Sequence, residues 1–329
     1  MSNAAVAARR NRWSHGLGQN AGFALALVLL AASIVVYCAI YFIAQRRLPG
    51  GFELTTTVNN TMPLVFAGVG QAIVVITRGI DLSIGGVIDL TNAIAALYLG
   101  DSLLSMAGCS LLVLLVGAAC GLFNGLLVTY GRVQPILVTL ATLAIFQGLA
   151  IRVLPSPGGQ VPSEFTAVFA NIEAPWSLVY IAIVIGFWFC FRRTSLGVGL
   201  YAIGNDELAA QAHAVNVIRT RVAAYVLSGV FAAVAGLFMA ASSTSGDALT
   251  GNGYTLRSIV AVVLGGVNLF GGRGTPVGAI VGAFISVMIV NILFFAQIDP
   301  LYQSFFEGLF LVVAVLASGG VGHFIRARA

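Results

Sequence analysis

Uncharged apolar runs follow one another along this chain with short polar connections between them. That pattern predicts helices solvated by lipid rather than amphipathic elements around a soluble core. The runs cover 21–44, 58–77, 102–131, 133–151, 174–191, 222–246, 258–272 and 274–298, and two more, 84–100 and 300–325, carry the single acids Asp89 and Glu307. A spanning helix needs about 20 apolar residues, so the expectation is an all-α polytopic membrane protein of about ten transmembrane helices. The run 258–272 is short enough to be broken or re-entrant.

Arginine placement suggests the sidedness, because positive residues are retained on the cytoplasmic side. With the N-terminus inside, the inner connections carry Arg9, Arg10, Arg12, Arg78, Arg132, Arg192, Arg193, Arg219, Arg221, Arg273, Arg326 and Arg328, whereas the outer ones carry only Arg46, Arg47, Arg152 and Arg257. Both termini are therefore expected in the cytoplasm. The organisation is a tail over 1–20, a transmembrane domain over 21–320 and a second tail over 321–329. Within the domain, 192–221 is the longest inner connection. The outer segment 154–174 is rich in proline and glycine and lacks an uninterrupted helical run.

Composition narrows the chemistry. Charged residues make up 8% of the 329 and hydrophobic ones 59%, against roughly 25% charged in soluble domains. All 16 basic residues are arginine. Without lysine there is no phosphate-binding G-x-x-x-x-G-K-[ST] loop and no Schiff base. The net charge of +5 is scattered between apolar runs, so it does not point to nucleic acid. Cys38, Cys109, Cys120 and Cys190 read as packing residues, and His15, His213 and His323 lack metal-ligand spacing. No catalytic or metal-binding residues are expected, and no cofactor in this chain.

Small and polar residues inside the runs suggest how the helices meet. Gly117, Gly121 and Gly125, and likewise Gly274, Gly278 and Gly282, repeat at a spacing that puts each trio on one helical face, where helices in lipid pack closely. The stretches T-R-G-I-D-L-S-I-G-G over 77–86 and L-G-G-V-N-L-F-G-G over 264–272 echo each other. Each reads as a helix break, with Gly79, Asp81 and Ser83 in one and Gly266 and Asn268 in the other. Two readings stand for these residues: caps on freed backbone groups, or a gate that moves with a partner. Asp89 must face protein or water, because an ionised carboxylate in hydrocarbon costs at least about 2.5 kcal/mol, and Asn92 lies one turn on. With Gln71, Asn124, Thr139, Thr142, Gln147, Asn291 and Gln303 they either line a path for a hydroxyl-rich solute or bond helix to helix.

Within 192–221, Asn205 is a candidate N-cap, followed by Asp206 and Glu207 in a first turn that favours anions. A short helix through Leu208, Ala209, Ala210, His213 and Val215 then either fits a partner's groove or is a solvated connection.

Four blocks carry a family resemblance. The stretch V-G-Q-A-I-V-V-I-T-R-G-I-D-L-S-I-G-G over 69–86 resembles the G-I-D-L-S-V-G signature of sugar-type ABC importer permeases, the group with ribose, xylose and galactofuranose systems. The G-L-F-N-G and T-L-A-T of 121–142, the A-I-G-N-D-E-L-A-A and Y-V-L-S-G of 201–236, and A-V-V-L-G-G followed by G-G-R-G in 259–282 are similar to that family's other blocks. The resemblance implies a subunit without enzymatic activity that pairs with a second permease and receives a monosaccharide from a periplasmic solute-binding protein in the bacterial inner membrane. It also implies a separate ATPase subunit that binds ATP and Mg2+ and docks on the helix after Asn205. Arg78 and Ala214 depart from the family pattern, each standing where glycine or a small residue is common, and Asp89 is unusual in its helix. Rival readings are an ABC permease for a nucleoside or autoinducer, and a proton-coupled carrier using Asp89 or Glu307.

Overall fold

The computed structural model describes residues 3–302 together with Phe305, Phe306, Gly308, Leu309 and Val312. Gln303, Glu307, His323, Arg326, Arg328 and the tail 321–329 lie outside the described residues, as do the side chains of Arg9, Arg10, Arg12 and His15. Most of the 300–325 run lies outside them too.

Among the described residues twelve α-helices follow in order: α1 (Asn3–Gln45), α2 (Gly51–Ile76), α3 (Ile84–Tyr98), α4 (Leu103–Thr129), α5 (Pro135–Val153), α6 (Ser163–Phe169), α7 (Ser177–Phe191), α8 (Ser195–Asn205), α9 (Glu207–Ala212), α10 (Val217–Ser243), α11 (Asn252–Leu264) and α12 (Pro276–Phe295). The described residues contain no strand beyond one antiparallel bridge between Gly158 and Gly246. Helix starts are set locally. Ser102, Thr194, Asp206, Asn216 and Thr275 cap α4, α8, α9, α10 and α12 through their side-chain oxygens, and Pro135 and Pro276 open α5 and α12.

Among the described residues six helices are long and apolar enough to cross a membrane: Gly22–Gln45 of α1, α2, α4, α5, α10 and α12. A seventh crossing arises if α7 and α8, bent by 78°, count as one span. Ten spans were expected, one of them in the 300–325 run that lies mostly outside the described residues. The runs at 84–100 and 258–272 become α3 and α11, of 15 and 13 residues, about 20 Å each at 1.5 Å per residue and short of a hydrocarbon core of about 30 Å. Hydropathy registers an apolar run whether it crosses the bilayer or stops halfway. The outer segment 154–174 likewise holds more order than expected. It contains α6 and is zipped to the α10–α11 connection by Gly158 and Gly246, which exchange bonds of 3.0 and 2.8 Å, while Gln160 N donates to Ala96 O.

Helix α2 is the axis, with 94% of its apolar window buried against 11% for α1. It packs on α10, α11 and α12, and Phe66 sets its ring beside Phe231 and Phe238 of α10. Outside this core, α4 meets α10 backbone to backbone. A Cβ added at Gly117 would lie 2.4 Å from Gly229 O, one at Gly121 2.2 Å from Tyr225 O, and one at Gly125 3.0 Å from the Val222 Cα. Gly278 and Gly282 bring α12 onto α11 in the same way, facing Gly265 and Ala261. Gly274 does not belong to that stripe. It precedes α12 with φ of 105° and serves the turn.

These contacts generate a stability prediction. Gly117→Val should lower the stability of the folded chain by about 1–3 kcal/mol through overpacking, read as a drop in melting temperature in detergent. Gly186→Ala, with open space around its Cβ position, should leave it unchanged or slightly raised.

Candidate functional site

Helix α2 ends in a Schellman arrangement: Arg78 N donates to Val75 O and Gly79 N to Val74 O. The residue in the left-handed position is Arg78, with φ of 64°, where glycine is the usual occupant. Its side chain supplies a reason for its presence. Nε donates to Gly204 O at 2.8 Å and Nη2 to Asn205 O at 2.6 Å, so a cation sits on the last carbonyls of α8, where the helix dipole favours it. The second break joins the same point. Gly272 N donates to Ile76 O at 3.0 Å, Asn205 Nδ2 donates to Gly272 O at 3.4 Å, and Tyr201 Oη donates to Gly274 O at 2.8 Å. A Cβ at Gly204 would lie 1.9 Å from Ile76 O. Both echoed breaks and the α8–α9 corner thus meet in one three-way junction.

Beyond Arg78 the first break is held by a buried polar network. Asp81 Oδ1 accepts from Ser83 N and Ser83 Oγ, and Asp81 Oδ2 accepts from Ser228 Oγ of α10 at 2.8 Å. Asn124 Nδ2 of α4 donates to Ser83 Oγ at 2.7 Å, and Thr139 Oγ1 of α5 lies 3.2 Å from Ile80 O. Asn268 bonds within its own turn, with Oδ1 accepting from Phe270 N, and Gly266 takes φ of 76° against Gly22 of α1.

The polar residues expected along a path serve structure in several cases. Asp89 Oδ1 accepts from Gly251 N at 2.5 Å. Because α11 has no cap of its own, this carboxylate caps it from α3. Asn92 Oδ1 accepts from Asp247 N at 2.8 Å, which holds the same connection. Gly85 and Gly251 are in close approach, so the first turns of α3 and α11 lie side by side. Thr142 Oγ1 donates to Thr139 O at 3.2 Å, Asn291 Nδ2 lies 3.4 Å from Thr57 Oγ1, and Gln147 is half-buried. Gln71 is fully buried in α2, and neither of its amide atoms has a partner among the described residues. No cluster of three His, Cys, Asp or Glu side chains suited to a metal occurs among the described residues.

The family model described as branched-chain amino acid transport system, permease component, matches residues 54–315. The chain belongs to this permease family. It is 30% identical over 310 residues to the ribose import permease protein RbsC of Escherichia coli (strain K12), covering 89% of this chain and 95% of that one. The RbsC of Haemophilus influenzae (strain ATCC 51907 / DSM 11121 / KW20 / Rd) is 31% identical over 309 residues, covering 91% and 92%. The autoinducer 2 import system permease protein LsrC of Yersinia pestis (strain Pestoides F) is 30% identical over 302 residues, covering 90% and 83%. No solved structure matches this chain.

In this permease the helix after α8 differs from the expected one in three ways. Its cap is Asp206, whose carboxylate accepts from Ala209 N at 3.0 Å, while Asn205 closes α8. It ends at Ala212, with His213 as C-cap and Ala214 left-handed at φ of 60°. Its inner face buries Ala210 with Ile203 and Val217, and the half-buried Val215 packs against them. Leu208, Ala209 and His213 remain exposed, and Glu207 pairs with Arg221 at 2.7 Å. Arg78 and Ala214, the two residues that depart from the pattern of the resemblance, therefore both stand at left-handed positions. Ser228, Tyr201 and Gly251 escaped the sequence reading. Only Ser228 carried a signal there, inside Y-V-L-S-G.

Ala214→Gly should stabilise the permease by about 1 kcal/mol, the left-handed cost of a Cβ, seen as a higher melting temperature. Arg78→Gly keeps that backbone comfortable and removes the guanidinium. Amide exchange at 204–212 should rise by on the order of tenfold, in line with loss of charged hydrogen bonds worth about 1.5 kcal/mol or more; unaltered exchange would mean that Arg78 does not hold the corner.

Proposed function

We propose that this chain is the membrane-spanning permease subunit of an ATP-driven importer that passes a monosaccharide across the bacterial inner membrane by alternating access. Membership of the permease family and the coverage by two ribose import permeases support the transport reading. The arginine distribution supports ten membrane-embedded segments with both termini cytoplasmic, α3, α11 and the last apolar run being the additional ones. On this reading ATP and Mg2+ belong to a separate ATPase subunit. A second permease and a periplasmic solute-binding protein complete the machine.

The single observation that carries the mechanism is the bonding of Arg78 to Gly204 and Asn205. A displacement of α9 by the ATPase would reach the break after α2 without passing through a flexible loop. Leu208, 78% exposed on α9, and Phe270, 84% exposed in the second break, offer apolar anchors for that partner. At the other end of the stroke, the Asp81 network and the Asp89 cap hold α3 and α11, the half-length helices between which a path would open. Transport then follows from differential binding of the sugar to the two states, with Gln71 as the polar group still free to meet it. A second reading, import of autoinducer 2, is favoured by the LsrC relative. Uptake of labelled ribose competed by autoinducer 2, with the cognate binding protein present, separates the two.

Two substitutions test the mechanism. Ala209→Glu should abolish capture of the ATPase and ATP-driven uptake while membrane insertion is retained; unchanged uptake would remove the docking assignment. Asp89→Asn keeps an oxygen for Gly251 N and should preserve ATP-driven uptake, whereas Asp89→Leu should lose it together with assembly. Uptake by Asp89→Asn that fails in a normally assembled complex would assign a role to the charge itself.

A further inference from the structure

A cleft of about 780 Å3 opens beside the junction, between the α4–α5 turn, the first break and the start of α10. Three arginines and one glutamate line it: Arg78, Arg132, Arg221 and Glu207. Glu207 is neutralised by Arg221 and Arg78 is bonded to carbonyls, so the cleft keeps a net positive field. Arg132 has no hydrogen bond or ion pair among the described residues and is held in the left-handed conformation at φ of 54°. Tyr225, fully buried, forms the inner wall, and its hydroxyl has no partner among the described residues. A buried hydroxyl without a bond costs free energy that a bound acceptor would recover. Cations beside an unused hydroxyl donor match the oxygens of a phosphate group.

We propose that this cleft binds the phosphate headgroup of an anionic phospholipid. The outer rim favours lipid over soluble phosphate. Tyr130 is 66% exposed and Val133 and Ile218 are exposed beside it, placing an aromatic ring and apolar side chains next to the cations. Leu126, Leu127, Ile136 and Leu137 continue that exposed apolar surface along α4 and α5, where acyl chains would lie. Basic pockets between transmembrane helices recognise anionic headgroups in this way.

Full-length protein purified in micelles supplemented with equal phosphatidylglycerol and phosphatidylcholine provides the test, with retained lipids counted by native mass spectrometry. Preferential retention of phosphatidylglycerol is expected. Arg132→Asn, which removes the charge but suits the left-handed backbone, should weaken that retention about fivefold, and Tyr225→Phe should weaken it as well, with melting temperatures close to wild type confirming the fold. Equal retention of both lipids, or wild-type retention in both variants, overturns the proposal. Displacement by millimolar inorganic phosphate would make this a free-anion site instead. Loss of ATPase capture in the variants with lipid retention intact would make the cleft a protein-docking surface, and either result refutes the lipid assignment.

Discussion

A helix that stops inside hydrocarbon strands amides and carbonyls with no water to receive them, at a cost of several kcal/mol for each group left unbonded. This permease contains two half-length apolar helices, α3 and α11, whose first turns lie side by side at Gly85 and Gly251. The arrangement is tenable because a carboxylate is supplied at each start. Asp81 bonds the turn before α3, and Asp89 reaches across to the amide of Gly251, the N-cap residue of α11. Two helix dipoles with their positive ends together would repel, and an acid between them offsets that repulsion. The cost of placing Asp89 among apolar residues is thereby set against the cost of leaving α11 uncapped.

Other features of the fold support those two starts. Ser228 and Asn124 reach the Asp81 network from α10 and α4, and they reach it because glycines along both helices remove the side chains that would hold the backbones apart. The central position of α2 follows from the same geometry: it leads into one break and bonds the other through Ile76 O. Packing and polar satisfaction are therefore one problem here, since a shift of α10 against α4 would unbond Asp81.

The long apolar helices were legible in the sequence because hydropathy over 20 residues reports transfer into lipid directly. The apolar run from 102 set the start of α4 to within one residue, whereas the run from 133 began two residues before α5 does at Pro135. The half-length helices were not, since α3 and α11 have the composition of crossing helices and differ only in where the backbone turns. The echo of 77–86 in 264–272 located both breaks, but the meeting of the two through Gly272 and Arg78 is a long-range bond with no local signature. Asp89 was legible as an anomaly and not as a cap, because its partner lies 162 residues away. Arg78 and Ala214 were visible as departures. Their shared left-handed conformation has no local signature in the sequence, and it is one that favours glycine.

The sharp bend between α7 and α8 gives the molecule an elbow. At 11 residues, α8 is a rod of about 16 Å that starts at its Thr194 cap and carries the corner at its far end. A push of about 3 Å there would swing the rod by roughly 10°, since a helix of about 16 Å is stiff along its axis. Torque, rather than a pull along the chain, is what such a push would deliver to the membrane core.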